Sequence, residues 1–455
     1  MPKRQAAVHP RRLEHVIVPE VETLITLQTA PKAVCKLRHD TVKDKHLQLD
    51  ADDGGIVRLH ARASRDSKPI ELRLEATDED GKTTEYTIAL RADAREGARL
   101  KKGGEDKAVP KIHGTLRPAL EGDPLKPSNK ELLEAGYPPR PDPGKSPVRY
   151  ARWLKRVSRP FTSVTPRRVP HPDVSFTRRQ LPPVLRSPTL PLPPPAARSM
   201  FNTNLSTWSG AYLTNPAAQF FLIEADWNVP GVAALLDSPP YSAAAEWVGL
   251  DNSGTDLFQS GTDSECWIIP FFGWTFTNYW MWIQSLPAVP YAVPNFHVSP
   301  GDEVSVDIFL ADQFGTTWFK NGSNGGLTPA DNNVWFMLYN YSNGSSFWGT
   351  LSTSTGFSGA TAEFIIERPS DSNGNPYPLA AFGFATMWSN FYGDSEYGDR
   401  LWALGANGSS PFDGTLTYIN MVDPSNNNLL ALSLSMPDPI NPSGYEILWL
   451  WVNYF

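Results

Sequence analysis

The chain has 455 residues, with 41 Lys+Arg, 48 Asp+Glu and a net charge of −7, which is length for two or three domains. Two cysteines exclude a disulfide framework, and eight scattered histidines without an HExxH run argue against a metalloenzyme. The charge is split: residues 201–455 carry 3 basic and 23 acidic side chains, net −20, whereas residues 1–200 carry 38 and 25, net +13. Two parts with different jobs, able to attract each other, are expected.

The first part, residues 1–110, reads as a small Ig-like β domain. Its opening, Met1-Pro2-Lys3-Arg4, leads into no apolar core of a standard signal peptide. Val57, Leu59, Ala61 and Ala63 alternate with Arg58, His60 and Arg62; Ile70, Leu72 and Leu74 alternate with Glu71, Arg73 and Glu75. A two-residue period means one buried and one wet face. Asp80-Gly81 predicts a hairpin turn between two such runs.

Residues 111–200 form a basic, Pro-rich linker or propeptide-like arm. From 137 to 200 there are 16 Pro, 13 Lys+Arg and 2 acidic residues. The run Pro188-Thr189-Leu190-Pro191-Leu192-Pro193-Pro194-Pro195 can form neither helix nor central strand. Tyr150 to Val157 predicts a short amphipathic helix. The arm is either a spacer or a segment in intramolecular contact with the acidic domain. It lacks a recognition helix or aromatic ladder, so no nucleic-acid partner is expected.

From about Met200 the chain is rich in Trp, Tyr, Phe, Asn, Ser and Gly. Short apolar runs predict strands at 219–225, 304–310, 334–339, 362–367, 429–435 and 447–454, bounded by turn residues. Trp267 to Gly301 carries no charge, but its prolines interrupt it well short of the ~20 apolar residues of a membrane span, so no membrane insertion is expected. The fold class is all-β: an antiparallel β-sandwich at 201–455 of two curved, lectin-like sheets, preceded by the Ig-like domain and the linker.

Two stretches carry the functional reading. Ala245-Glu246-Trp247-Val248-Gly249-Leu250-Asp251 is followed by Phe258-Gln259-Ser260-Gly261-Thr262-Asp263. A hundred residues on comes Ala362-Glu363-Phe364-Ile365-Ile366-Glu367-Arg368-Pro369. With Trp208-Ser209-Gly210, Trp227-Asn228-Val229-Pro230, Trp282 and Val298-Ser299-Pro300-Gly301-Asp302, these resemble the eqolisin family of glutamic peptidases over residues 202–455. The resemblance implies Gln259 and Glu363 as the catalytic pair, with Trp247, Asp251, Asp263, Trp282 and Gln284 lining the substrate site. It implies no cofactor and no metal, polypeptide substrates, a monomer, and secretion by analogy. Three positions depart from the family pattern: Gln284 stands for a Glu, Phe364 for a Trp and Asn252 for a Gly. Residues 387–407 have no counterpart in it.

An acid-acting endopeptidase follows as the expectation. Glu363 takes a proton from water and Gln259 donates an N–H to the oxyanion. Glu367 shares a strand face with Glu363 but lies ~13 Å away at ~3.3 Å per residue, and is read as an ion-paired residue. Two other readings remain open: a non-catalytic carbohydrate- or protein-binding sandwich, and a glycoside hydrolase whose two carboxylates would include Glu246 and Glu363.

Overall fold

The computed structural model describes residues 11–42, 46–94, 114–135, 137–138, 140–141, 143, 147–171, 174–176, 201–214, 219–233, 240–250, 257–310, 333–352, 361–394, 400–403, 415–437 and 445–451. It divides into two compact units, each discontinuous in sequence. The first contains Met1–His113, Val232–Ser242 and Ser264–Asn278; the second contains Gly114–Gly231, Ala243–Asp263 and Tyr279–Phe455. Both units draw on stretches that are distant in sequence. Cys266 falls in the same unit as Cys35, and both are free and buried. The Pro188–Pro195 run and Asp251 lie outside the described residues.

In the first unit β1 (Arg11–Ile17), β2 (Thr23–Gln28), β3 (Val34–Arg38), β4 (Leu47–Asp50), β5 (Ile56–Ala63), β6 (Ile70–Thr77) and β7 (Thr83–Ala92) follow in order. One sheet runs β1-β7-β6-β3-β4, with β1 and β7 parallel and the remaining pairs antiparallel. β2 pairs with β5, whose other edge takes Trp274–Thr277. The expected alternation holds: Val57, Leu59, Ala61 and Ala63 are fully buried. Gly81 sits at φ 77° in the β6–β7 turn, a conformation that glycine adopts freely.

The second unit starts with β8 (Thr115–Arg117), α1 (Asn129–Glu134), α2 (Pro147–Val157), β9 (Phe161–Ser163) and β10 (Val169–Pro170). There follow β11 (Phe201–Leu205), β12 (Trp208–Thr214), β13 (Gln219–Asn228), β14 (Tyr241–Leu250), β15 (Phe258–Ile269), β16 (Trp274–Ser285), β17 (Tyr291–His297) and β18 (Glu303–Leu310), of which Tyr241–Ser242, Ser264–Ile269 and Trp274–Asn278 are assigned to the first unit. The last strands are β19 (Asn333–Asn340), β20 (Ser345–Ser352), β21 (Thr361–Glu367), β22 (Phe384–Asp394), β23 (Arg400–Ala403), β24 (Thr415–Val422), β25 (Leu429–Pro437) and β26 (Tyr445–Trp451). The antiparallel ladder runs β20-β19-β18-β13-β22-β26-β25-β24-β12-β21-β14. The fold is all-β, as expected. Residues 387–394, without a counterpart in the resembled family, pair with β13.

The described part of the arm, within residues 114–176, carries two helices and short strands. Ser128 and Glu131 cap α1 reciprocally: the Ser128 N–H donates to Glu131 Oε2 (2.7 Å) and the Glu131 N–H to Ser128 Oγ (3.2 Å). Pro147 opens α2, where a missing N–H costs nothing. Leu132, Tyr137, Trp153 and Val157 pack together, and Trp153 Nε1 donates to the Pro138 carbonyl (2.8 Å). β9 pairs with β20, and β10 with β17.

Arg152 and Arg156, four residues apart on one face of α2, meet the acidic face of β13 and β18. Arg152 pairs with Asp226 (2.6 Å) and Glu224 (3.5 Å). Arg156 pairs with Asp307, donates to Ser305 Oγ (2.7 Å) and Tyr341 Oη (3.0 Å), and lies over the Tyr339 ring (4.5 Å). Arg156 is 4% exposed, so this pair is shielded from solvent screening. Burial drives the Asp226 carboxyl up, but Arg152 and Arg156 outweigh it and hold it below the usual carboxylate range.

Removing one partner of a buried ion pair leaves the other charge without compensation. Arg156→Ala is therefore expected to cost roughly 3–5 kcal/mol of stability, read by urea denaturation of the full chain. A loss below about 1 kcal/mol, the range of exposed pairs, would show that this clamp does not hold the arm.

Candidate active site

The candidate site is built on one face of β12, β21 and β14. Glu363 in the middle of β21 stands opposite Tyr212 on one side and Gly249 on the other. Alternation places Trp208, Tyr212, Trp247, Gly249, Glu363, Ile365 and Glu367 on this face. All are buried where a side chain exists. Gly249 makes room for the acid: a Cβ there would meet Glu363 Oε2 and Leu257 Cδ1, both at 3.0 Å. Glu363 and the chain leading into β15 therefore converge on one point. Thr361 Oγ1 donates to Glu363 Oε1 (2.8 Å). Burial raises the Tyr212 hydroxyl above its ordinary value, against the lowering hydrogen bond with Thr417, and the Glu363 charge adds to the rise.

Gln259 is the second residue of β15 and is 1% exposed. Its Nε2 donates to Gln284 Oε1 (2.6 Å), and Gln284 Nε2 donates to the Ala288 carbonyl (2.7 Å). Ser260 Oγ donates to the Trp282 carbonyl (2.7 Å), tying β15 to β16 beside them. Asp263 is fully buried on the same strand, two alternations on from Gln259 and so ~13 Å along it. Trp247, Trp282, Leu257, Tyr212 and Ile365 belong to one apolar cluster, which joins the Gln259 and Glu363 sides. The structure thus brings together Gln259, Gln284, Trp282, Trp247 and Glu363, and sets Asp263 further along β15.

Three neighbours add contacts to the site. Glu367 accepts a hydrogen bond from Trp247 Nε1 (2.9 Å), and Trp208 meets the Trp247 ring edge-on (5.1 Å, 78°). Phe176 stacks on Trp282 (3.8 Å, 12°), and His171 stacks on Trp280 (4.5 Å, 3°). Ser175 and Ser370 exchange backbone hydrogen bonds (2.8 and 2.9 Å) as a single antiparallel bridge beside the stacked Phe176. No period or motif in the Pro/Arg-rich text marks Phe176.

The competing readings lose their footing in the geometry. Glu246 stands opposite Ile366, on the face of β14 that points away from Glu363. It accepts from Thr262 Oγ1 (2.7 Å), which accepts from Trp227 Nε1 (2.9 Å) in the interior between β13 and β14. Glu246 and Glu363 cannot flank one glycosidic bond. With Phe176 stacked on Trp282, the faces of Trp208, Trp247 and Trp282 are all 0% exposed in the full chain, so none is open for sugar stacking there. Among the described residues no group of His, Cys, Asp and Glu could hold a metal ion.

Residues 206–331 match the model of the Peptidase A4 family. That span includes Trp247, Gln259, Trp282 and Gln284, and ends before Glu363. The curated proteins give no match. Among solved structures, scytalidoglutamic peptidase with a peptide-based transition-state analogue is 20% identical, covers 54% of this chain and 98% of its own, with a TM-score of 0.38. The same peptidase with another transition-state analogue inhibitor gives 19% over the same shares and 0.37. SCP-B, an eqolisin in complex with the tripeptide Ala-Ile-His, gives 18%, again over 54% and 98%, and 0.35.

Burial lifts the Glu246 carboxyl to about 8, against the lowering hydrogen bond from Thr262. Its folded value lies above its ordinary 4.5, so its stabilising contribution is complete below about 4.5 and lost as pH rises through about 8. Glu246→Gln should therefore leave the melting temperature at pH 4 nearly unchanged and raise it by several degrees at pH 9. Equal melting shifts at both pH values would contradict the buried, neutral acid.

Proposed function

With a Peptidase A4 region at residues 206–331, we propose that the protein is a glutamic endopeptidase acting in acid. The reading is supported by one observation: Glu363 and Gln259, the pair singled out by resemblance, are both buried, Glu363 beside Gly249 and Gln259 bonded to Gln284, on strands whose Trp247, Leu257 and Trp282 share one apolar cluster. Glu363 as carboxylate takes a proton from water. The water oxygen bonds to the scissile carbonyl carbon, and the carbonyl oxygen becomes an oxyanion. Glu363 then hands the proton to the departing nitrogen as the C–N bond breaks. An N–H of Gln259 stabilises the oxyanion, a contribution of roughly 3 kcal/mol for a preorganised donor. An amide stays a donor at any pH, so the site runs in acid for as long as part of Glu363 is ionised.

Trp247, held by Glu367, and Trp282 wall the site. Phe176 stacks on Trp282 and His171 on neighbouring Trp280 in the full chain, which supports a propeptide role for the arm. The basic helix itself is anchored elsewhere: Glu224 and Asp226 face away from Trp227, and so away from the interior that Glu246 shares. Among the described residues of the arm, His171 and Phe176 stack on this aromatic face. Cutting near Arg198-Ser199-Met200 would let them leave.

Two measurements test the reading. Gln259→Ala and Glu363→Gln should each lower turnover of a denatured protein at pH 3–4 by about 10³-fold or more while circular dichroism stays native; wild-type turnover in either folded variant removes the assignment. The full chain held at pH 4 should shorten by mass as its activity rises. A chain that is fully active at full length would make residues 171–176 a permanent wall.

A further inference from the structure

We infer that Gln284 is a positioning residue for Gln259, and that the two amides with the Ala288 carbonyl form a relay of fixed direction. This rests on the peptidase reading for its consequence, but the direction follows from the atoms alone. The Ala288 carbonyl can only accept, so the Gln284 atom 2.7 Å from it is the amide nitrogen. The other corner of that planar amide is Oε1, which can only accept. It lies 2.6 Å from Gln259, whose contacting atom is therefore Nε2. Turning either amide over would set two donors or two acceptors face to face.

The relay determines what Gln259 has left. One N–H is committed to Gln284; one N–H and Oε1 remain. Oε1 is buried and has no hydrogen-bond partner among the described residues. A buried acceptor left in that state is costly unless a donor arrives. The donor that the proposed reaction brings is the O–H of the attacking water, beside the remaining N–H that meets the oxyanion. Gln284 thus aims both working atoms of Gln259 without touching the substrate, which replaces the substrate-binding role expected for it.

The relay contains no ionisable group, so its direction does not change with pH. The titratable groups on the surrounding elements are Glu363 and Glu367 on β21, Tyr212 on β12, Tyr241 and Glu246 on β14, Asp263, Glu265 and Cys266 on β15, Tyr279 on β16, Tyr291 and His297 on β17, and His171 over Trp280. None of these is a member of it. A carboxyl at position 284 could donate to Ala288 only while protonated. Once ionised, it would place two acceptors against each other.

The test uses Gln284→Met and Gln284→Glu in the full chain, assayed from pH 3 to 8 after acid incubation. Gln284→Met should lower kcat by about 10²-fold, the cost of a misplaced group, with KM little changed. Gln284→Glu should keep kcat near wild type in acid and lose it as pH rises through the pKa of the new carboxyl, an alkaline limb that the wild type lacks at that pH. A wild-type kcat in Gln284→Met, or a Gln284→Glu profile that superimposes on the wild type, overturns the inference. So does a lower melting temperature with kcat unchanged. If Gln284→Met does not fold, the Gln284→Glu profile decides alone. If the wild type cleaves no peptide, the peptidase reading fails by itself. The relay is then read from the Gln259 side-chain amide resonances, which should move in Gln284→Met and which contradict the relay if they stay.

Discussion

The register of β21 between β12 and β14 is the constraint on which the site depends. Seven consecutive residues of β21 are buried, so both faces are committed. Glu363, Ile365 and Glu367 face the aromatic layer, while Phe364 and Ile366 face the interior. A slip by one residue would turn Glu363 into the apolar interior and Phe364 onto the site. Two features oppose that slip. Gly249 leaves space for a carboxylate at one position of β14, and the Trp247 indole holds Glu367 four residues further along. The side chain that orients the wall of the site also pins the strand that carries the acid.

Two buried acids of this unit, Glu246 and Asp226, are sorted by their surroundings, whereas burial raises Asp307 to about 6 even against Arg156. Glu246, in the interior, has only Thr262 as its described partner and is favoured as a neutral acid. Asp226 has Arg152 and Arg156 beside it and is favoured as an anion. With 3 basic residues against 23 acidic ones in residues 201–455, this part of the chain cannot supply such cations for itself. Arg152 and Arg156 come from the arm. The charge asymmetry along the sequence is thus resolved inside one compact unit, and residues 114–176 belong to the structure of that unit rather than to a tether.

Much of the strand layout was legible because turn residues bound short apolar runs. The expected strands at 304–310 and 334–339 are β18 and β19 to within a residue or so. The roles on β14 were not legible. All ten of its residues are buried, so no wet face remains to give a two-residue period, and nothing local separates inward Glu246 from outward Trp247. The contacts of the arm's described residues were not legible for another reason. The arm's composition says linker, but Arg156 finds Ser305 and Asp307 about 150 positions away, and no local pattern encodes such a pairing. Gln259 and Glu363 were singled out only by resemblance; the Gln284 contact that orients Gln259 needs the three-dimensional register of β15 and β16.

The central claim is that Glu363 and Gln259 address the same tetrahedral carbon. A crystal structure of the acid-incubated protein with a peptide in which a secondary alcohol replaces the scissile carbonyl tests this most directly. The account predicts the alcohol oxygen within hydrogen-bond distance of both the Glu363 carboxylate and the Gln259 amide, with the peptide lying against Trp282 where Phe176 lay. An alcohol bound away from either side chain, or a peptide seated on another face of the sandwich, would contradict it.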